Sequence, residues 1–147
     1  MDRPKYIAVD FDDTIFIRDS WRNYEGKVNM QVVNLISELH DRGWKIILWT
    51  SRNGVVLDEA VKFCKDNNIH LDYVNENPEA IAYFKNVLGF KHSGWSAKVF
   101  ADVYLDDSAF NPSILGVNED NPRSDFIRML EEFCEKRHSL KVESITK

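Results

Sequence analysis

The chain has 147 residues, 44% of them hydrophobic and 29% charged, with a net charge of −5. That composition excludes a disordered or fibrous protein, and the acidic balance supplies no overall basic field to draw in nucleic acid or an anionic membrane. A chain of this length fits one domain burying roughly two thirds of the surface its unfolded form exposes.

In chain order, Tyr6-Ile7-Ala8-Val9 is a short apolar run ending in acidic residues, the pattern of a buried strand opening into a polar loop. From Asn29 to Arg42, Val32, Leu35, Ile36 and Leu39 recur at helical spacing, and Gly43 follows as a C-terminal cap. Lys45 to Trp49 predicts a second strand. Leu57, Ala60, Val61 and Cys64 then predict a second helix. Leu71 to Val74 reads as a third strand, and Asn77-Pro78 opens a helix carrying Ile81, Phe84 and Leu88 up to Gly89. Val103-Tyr104-Leu105 is a fourth strand and Ile114 to Val117 a fifth, while Phe126, Leu130 and Phe133 mark a closing helix. Cys64 and Cys134 sit on apolar helix faces without CxxC spacing, as buried thiols do. No apolar run approaches the roughly 18 residues of a membrane span, and Met1-Asp2-Arg3-Pro4-Lys5 lacks a signal-peptide core, so the expectation is a cytoplasmic protein without a membrane partner.

Strands alternating with helices predict an α/β fold with a parallel sheet covered on both faces, whose ligands bind beyond the carboxyl ends of the strands. Three strands end in reactive residues: the first in Asp10 and Asp12, the second in Thr50 and Ser51, the fourth in Asp106 and Asp107. Four carboxylates in one crevice repel one another unless a hard divalent cation neutralises them, and Mg2+ fits because it accepts a few carboxylates while keeping positions for water and a phosphate oxygen. Asp10 and Asp12, two apart on extended backbone, can project the same way, one as nucleophile and the other as proton carrier. Thr50 offers a hydroxyl and Lys98 a compact positive charge for a phosphoryl group. Thr50 can equally end its strand, and Ser51 can cap the next helix or hold the phosphate itself. Arg52 contacts substrate or pairs with an acidic neighbour.

In these motifs the chain resembles the haloacid dehalogenase-like hydrolase superfamily. Asp10-Phe11-Asp12-Asp13-Thr14 is similar to its first motif, Leu48-Trp49-Thr50 to the second, Lys98 to the third and Leu105-Asp106-Asp107 to the fourth. The resemblance implies a Rossmann-like three-layer sandwich with strand order 5-4-1-2-3, Asp10 as nucleophile and Asp12 as general acid/base. It also implies Mg2+ held by Asp10, the backbone carbonyl of Asp12 and Asp106, with Asp107 close by. Neither gap between motifs has room for a cap domain. The resemblance is therefore to the capless subclass, whose open sites accept bulky substrates or are covered by a neighbouring subunit in a homo-oligomer.

Trp21, Arg22 and Tyr24, in the segment after the first motif, form either a flap that recognises the leaving group or a surface loop with locally packed aromatics. Phe90, His92 and Trp95 are a second candidate rim. His40, His70, His92 and His138 show no metal-ligand spacing, and no chemistry is assigned to them. The substrate expected is a small phosphomonoester, with a phosphorylated nucleic-acid end or protein second, since a polynucleotide normally needs several Lys/Arg contacts. Two other classes compete: a phosphoreceiver domain, in which Lys would not precede a terminal Asp pair, and a non-catalytic binding protein on the same fold.

Overall fold

A computed structural model of the chain describes residues 3–20, 23–89, 98–106 and 127–136. Trp21, Arg22, Asp107, the rim residues Phe90, His92 and Trp95, and the expected fifth strand at 114–117 lie outside the described residues. The chain divides into two compact units, Met1–Phe110 and Asn111–Lys147, where the sequence reading has one domain over 1–147.

In the first unit, β1 (Tyr6–Val9), β4 (Lys45–Leu48), β5 (Tyr73–Val74) and β6 (Val103–Leu105) form one parallel sheet in the order β5-β4-β1-β6. The four correspond to the first four strands of the sequence reading, so the described sheet has four strands where about five were expected. Read from its β6 edge, the row is the 4-1-2-3 part of the expected order. All of β1 is buried, as a central parallel strand must be. Tyr6, Ala8 and Ile47 pack on one face with Ala80, Val99 and Ala101, backed by Phe84 and Tyr104. Alternation turns Ile7, Val9, Ile46 and Leu48 to the opposite face, where they are fully buried too.

Helix α1 (Met30–Asp41) packs against β4 and buries Val32, Val33, Leu35, Ile36 and Leu39. It ends as its glycine demands: Gly43, at φ 88°, donates its N–H to His40 O (2.9 Å), and Trp44 N–H reaches back to Leu39 O (3.0 Å). Helix α2 (Gly54–Asp66) closes the same way, with Asn68 at φ 57° and Ile69 N–H bonded to Cys64 O. Only Ala60 and Cys64 of its predicted stripe are fully buried, and burial pushes the Cys64 thiol up to about 12, which makes it inert. Helix α3 (Pro78–Asn86) is capped by Asn77, whose side chain accepts Ala80 N–H, but it stops short of the expected Gly89 and leaves Leu88 exposed.

The sequence reading misses a β-hairpin, β2 (Phe16–Ser20) and β3 (Asn23–Val28), which forms a separate two-stranded sheet with an irregularity between Arg18 and Ser20. The sequence between Phe16 and Val28 carries no Asn-Gly or Asp-Gly pair of the kind that advertises a hairpin. Its root is aromatic: Phe16 stacks on Phe11 at 5.7 Å, and both meet Phe63 of α2 edge-on. Gly26 allows the two strands to close, because a Cβ there would collide with the Ile17 carbonyl and lie 2.8 Å from Phe16 Cζ. Gly26→Ala is expected to destabilise the hairpin by roughly 1–3 kcal/mol, seen as lost amide-exchange protection over 16–28; unchanged protection contradicts this.

In the second unit, residues 127–136 form α4. Its buried face is Ile127, Leu130 and Cys134, and Phe133, expected on that face, is 56% exposed. Among the described residues no helix is long and apolar enough to cross a membrane.

Candidate active site

The register of three parallel strands assembles the site. Val9 pairs with Leu48 of β4 and with Leu105 of β6, so the residues just beyond, Asp10 and Asp106, stand level at the carboxyl ends of neighbouring strands. Asp10 N–H bonds Leu105 O at 2.9 Å, extending the ladder one step and fixing Asp10 at the carboxyl end of β1. Strands in a sheet lie about 4.8 Å apart, so the two half-buried residues start from neighbouring backbone positions. Behind Asp10 the chain coils around one carbonyl: Thr14, Ile15 and Phe16 all donate their N–H groups to Phe11 O. This brings the buried Thr14 hydroxyl to 3.5 Å from Asp10 Oδ2 and gives Asp13 a left-handed backbone, φ 61°. Asp13 turns away to the hairpin, where its pair with Arg18 holds its carboxyl below the usual range.

Thr50 follows β4. Its N–H donates to Asn75 Oδ1 (2.8 Å), and its hydroxyl oxygen accepts Arg52 N–H (3.2 Å), leaving the hydroxyl proton to donate elsewhere. Ser51 beside it is exposed. Arg52 takes the acidic partner: its guanidinium forks onto Asp12, Nε to Oδ2 at 2.9 Å and Nη2 to Oδ1 at 2.8 Å, with its side chain only 11% exposed. It also lies 4.7 Å over the Phe11 ring. This clamp joins the β1 loop to the β4 loop across 40 positions of sequence, and no local pattern announces it.

Lys98 is exposed, with its ammonium 5.0 Å from the ring of Tyr104, which in turn contacts Trp49 and bonds Val99 O. Tyr104 and Asp106 share one side of β6 by alternation, so the lysine is held on that side of the sheet edge. Asp10, Asp12, Thr50, Ser51, Arg52 and Asp106 thus follow the carboxyl ends of β1, β4 and β6, and Lys98 lies against Tyr104 of β6. Asp10 and Asp106 offer hard oxygen donors. The Asp12 carboxylate is committed to Arg52.

Fold and strand ends together define an α/β protein with Asp10 and Asp106 at the carboxyl edge of a parallel sheet. No protein-family model and no curated protein match the chain. It is similar to a solved structure described as that of a conserved protein coded by a locus from Bacteroides thetaiotaomicron, at TM-score 0.60 and 26% identity over 88% of this chain and 92% of that one.

Proposed function

We propose that the protein is a Mg2+-dependent phosphomonoester hydrolase working through an aspartyl-phosphate on Asp10. The observation that carries this reading is the levelling of Asp10 and Asp106 by the β1–β6 register, with Thr50 at the end of the other neighbour of β1. Asp10 and Asp106, with the backbone carbonyl of Asp12, would hold the Mg2+, which when bound offsets their mutual repulsion and the charge of the phosphate. Asp10 attacks phosphorus and the alkoxide leaves; Asp12 gives that oxygen a proton and then takes one from the water that cleaves the acyl phosphate. Thr50 and Lys98 orient the transferring group and spread its charge. The test is phosphate release from an aryl phosphate with Mg2+, its abolition by EDTA, and a screen of phosphomonoesters that includes 3′- and 5′-phosphorylated oligonucleotides.

Arg52 favours a specific refinement. A carboxylate gripped at both oxygens cannot take up a proton readily, so Asp12 works only when the guanidinium lets go, and an incoming phosphate is the anion able to draw it away. Arg52→Ala is then expected to lower kcat/KM roughly tenfold or more, chiefly through KM. Faster turnover in that variant would instead mean that the clamp restrains Asp12 and that Arg52 does not grip the phosphate.

A further inference from the structure

At the opposite edge of the same sheet, three side chains that the sequence leaves unrelated come together. His40 sits in the last turn of α1, His70 in the loop after α2, and Asp72 just before β5. Each offers a ligand atom within 4.8 Å of the other two. The imidazole rings stack at 3.9 Å and 21°, and His70 Nε2 lies 3.0 Å from Asp72 Oδ1. The other oxygen, Oδ2, accepts Ile46 N–H at 2.8 Å, so the carboxylate is pinned by backbone with one oxygen turned to the histidines. This is how a supporting hydrogen bond orients a metal ligand.

We infer that His40, His70 and Asp72 bind a divalent transition-metal ion of the zinc type. Two imidazoles and one carboxylate suit zinc and not Mg2+. Ligand atoms around tetrahedral zinc are about 3.3 Å apart given bonds of about 2.0–2.1 Å, so the cluster closes by side-chain rotation with the backbone unmoved. Water completes the coordination. The site clips the end of α1 to the start of β5 and stands at the amino ends of the strands, whereas Asp10 and Asp106 stand at the carboxyl ends; it is independent of the phosphate chemistry. Lys45, whose ammonium is 3.9 Å from Asp72 Oδ1, competes with the metal.

Zinc titration of the untagged, EDTA-stripped protein by calorimetry should give one site in the micromolar range, and saturating zinc should raise Tm by about 5–10 °C. His40→Ala and His70→Ala should each weaken binding at least roughly tenfold, Lys45→Ala should tighten it, and Asp10→Asn should leave it unchanged. Both histidines are exposed, so these variants fold, which circular dichroism checks. Cobalt(II) should give visible ligand-field bands that are lost in His70→Ala. Binding no tighter than millimolar, undiminished binding by either histidine variant, or loss of the site in Asp10→Asn would overturn the inference.

Discussion

Asp10→Asn should reduce phosphate release from an aryl phosphate by roughly 10³-fold or more. The amide has nearly the shape of the carboxylate and can still accept from Thr14, while Asp10 N–H keeps its bond to Leu105 O, so the β1 terminus is undisturbed. What it loses is the anionic oxygen that would attack phosphorus in the proposed mechanism, together with one of the two carboxylates levelled by the strand register. Asp12→Asn should cost about 10²- to 10⁴-fold, the usual weight of a general acid/base, and it also removes one partner of the Arg52 clamp. The two variants separate by trapping: acid-quenched Asp12→Asn protein should retain phosphate bound as an acyl phosphate, and Asp10→Asn should retain none. Full turnover in Asp10→Asn would sink the nucleophilic role, and unchanged activity in EDTA would sink the metal's part in it.

Much of this edge was legible in the sequence because β1, β4 and β6 each state their end locally, as an apolar run stopped by Asp or Thr. Helix α1 was legible for a similar reason: its apolar spacing and Gly43 both speak for the same backbone. The partners that spacing left unnamed share a cause as well. Asp12 and Arg52 meet because β1 and β4 are neighbours in the sheet, and His40 meets His70 because α1 and the α2–β5 loop flank β4. Pairings of that kind follow from strand order, which residue spacing does not express. The hairpin was missed on different grounds, since its strands are held by the Phe11–Phe16–Phe63 cluster and by the small size of Gly26 rather than by alternating polarity. Leu88 and Phe133 were misplaced because an apolar residue at helical spacing need not face a core.

Asp102→Ala should lower stability by about 2–3 kcal/mol, or about 5–10 °C in Tm, although the residue touches none of the proposed chemistry. Asp102 is 6% exposed, and its carboxylate receives a fork from Arg3, Nη1 to Oδ2 at 2.8 Å and Nη2 to Oδ1 at 2.7 Å, plus Tyr6 N–H at 2.9 Å. Its own N–H returns to Tyr6 O at 2.8 Å. Alanine leaves the Tyr6 amide without that acceptor and the Arg3 guanidinium without its counter-charge between the Tyr6 and Phe100 rings. Breaking a buried pair by removing one member usually costs about 3–5 kcal/mol; Arg3 is 28% exposed, and water reaching it brings the figure down. Asp102→Asn keeps an acceptor for Tyr6 and should lose about half as much. Urea melts measure both, and a loss below about 0.5 kcal/mol, the range of ordinary surface changes, would show that the pair is not structural. The consequence reaches the site because Asp102 ties the start of β6 to the start of β1, and the height of β6 on β1 is what sets Asp106 level with Asp10. Asp102→Ala should therefore also weaken Mg2+-dependent turnover at temperatures where the fold is intact, and this loss should appear as a higher Mg2+ requirement.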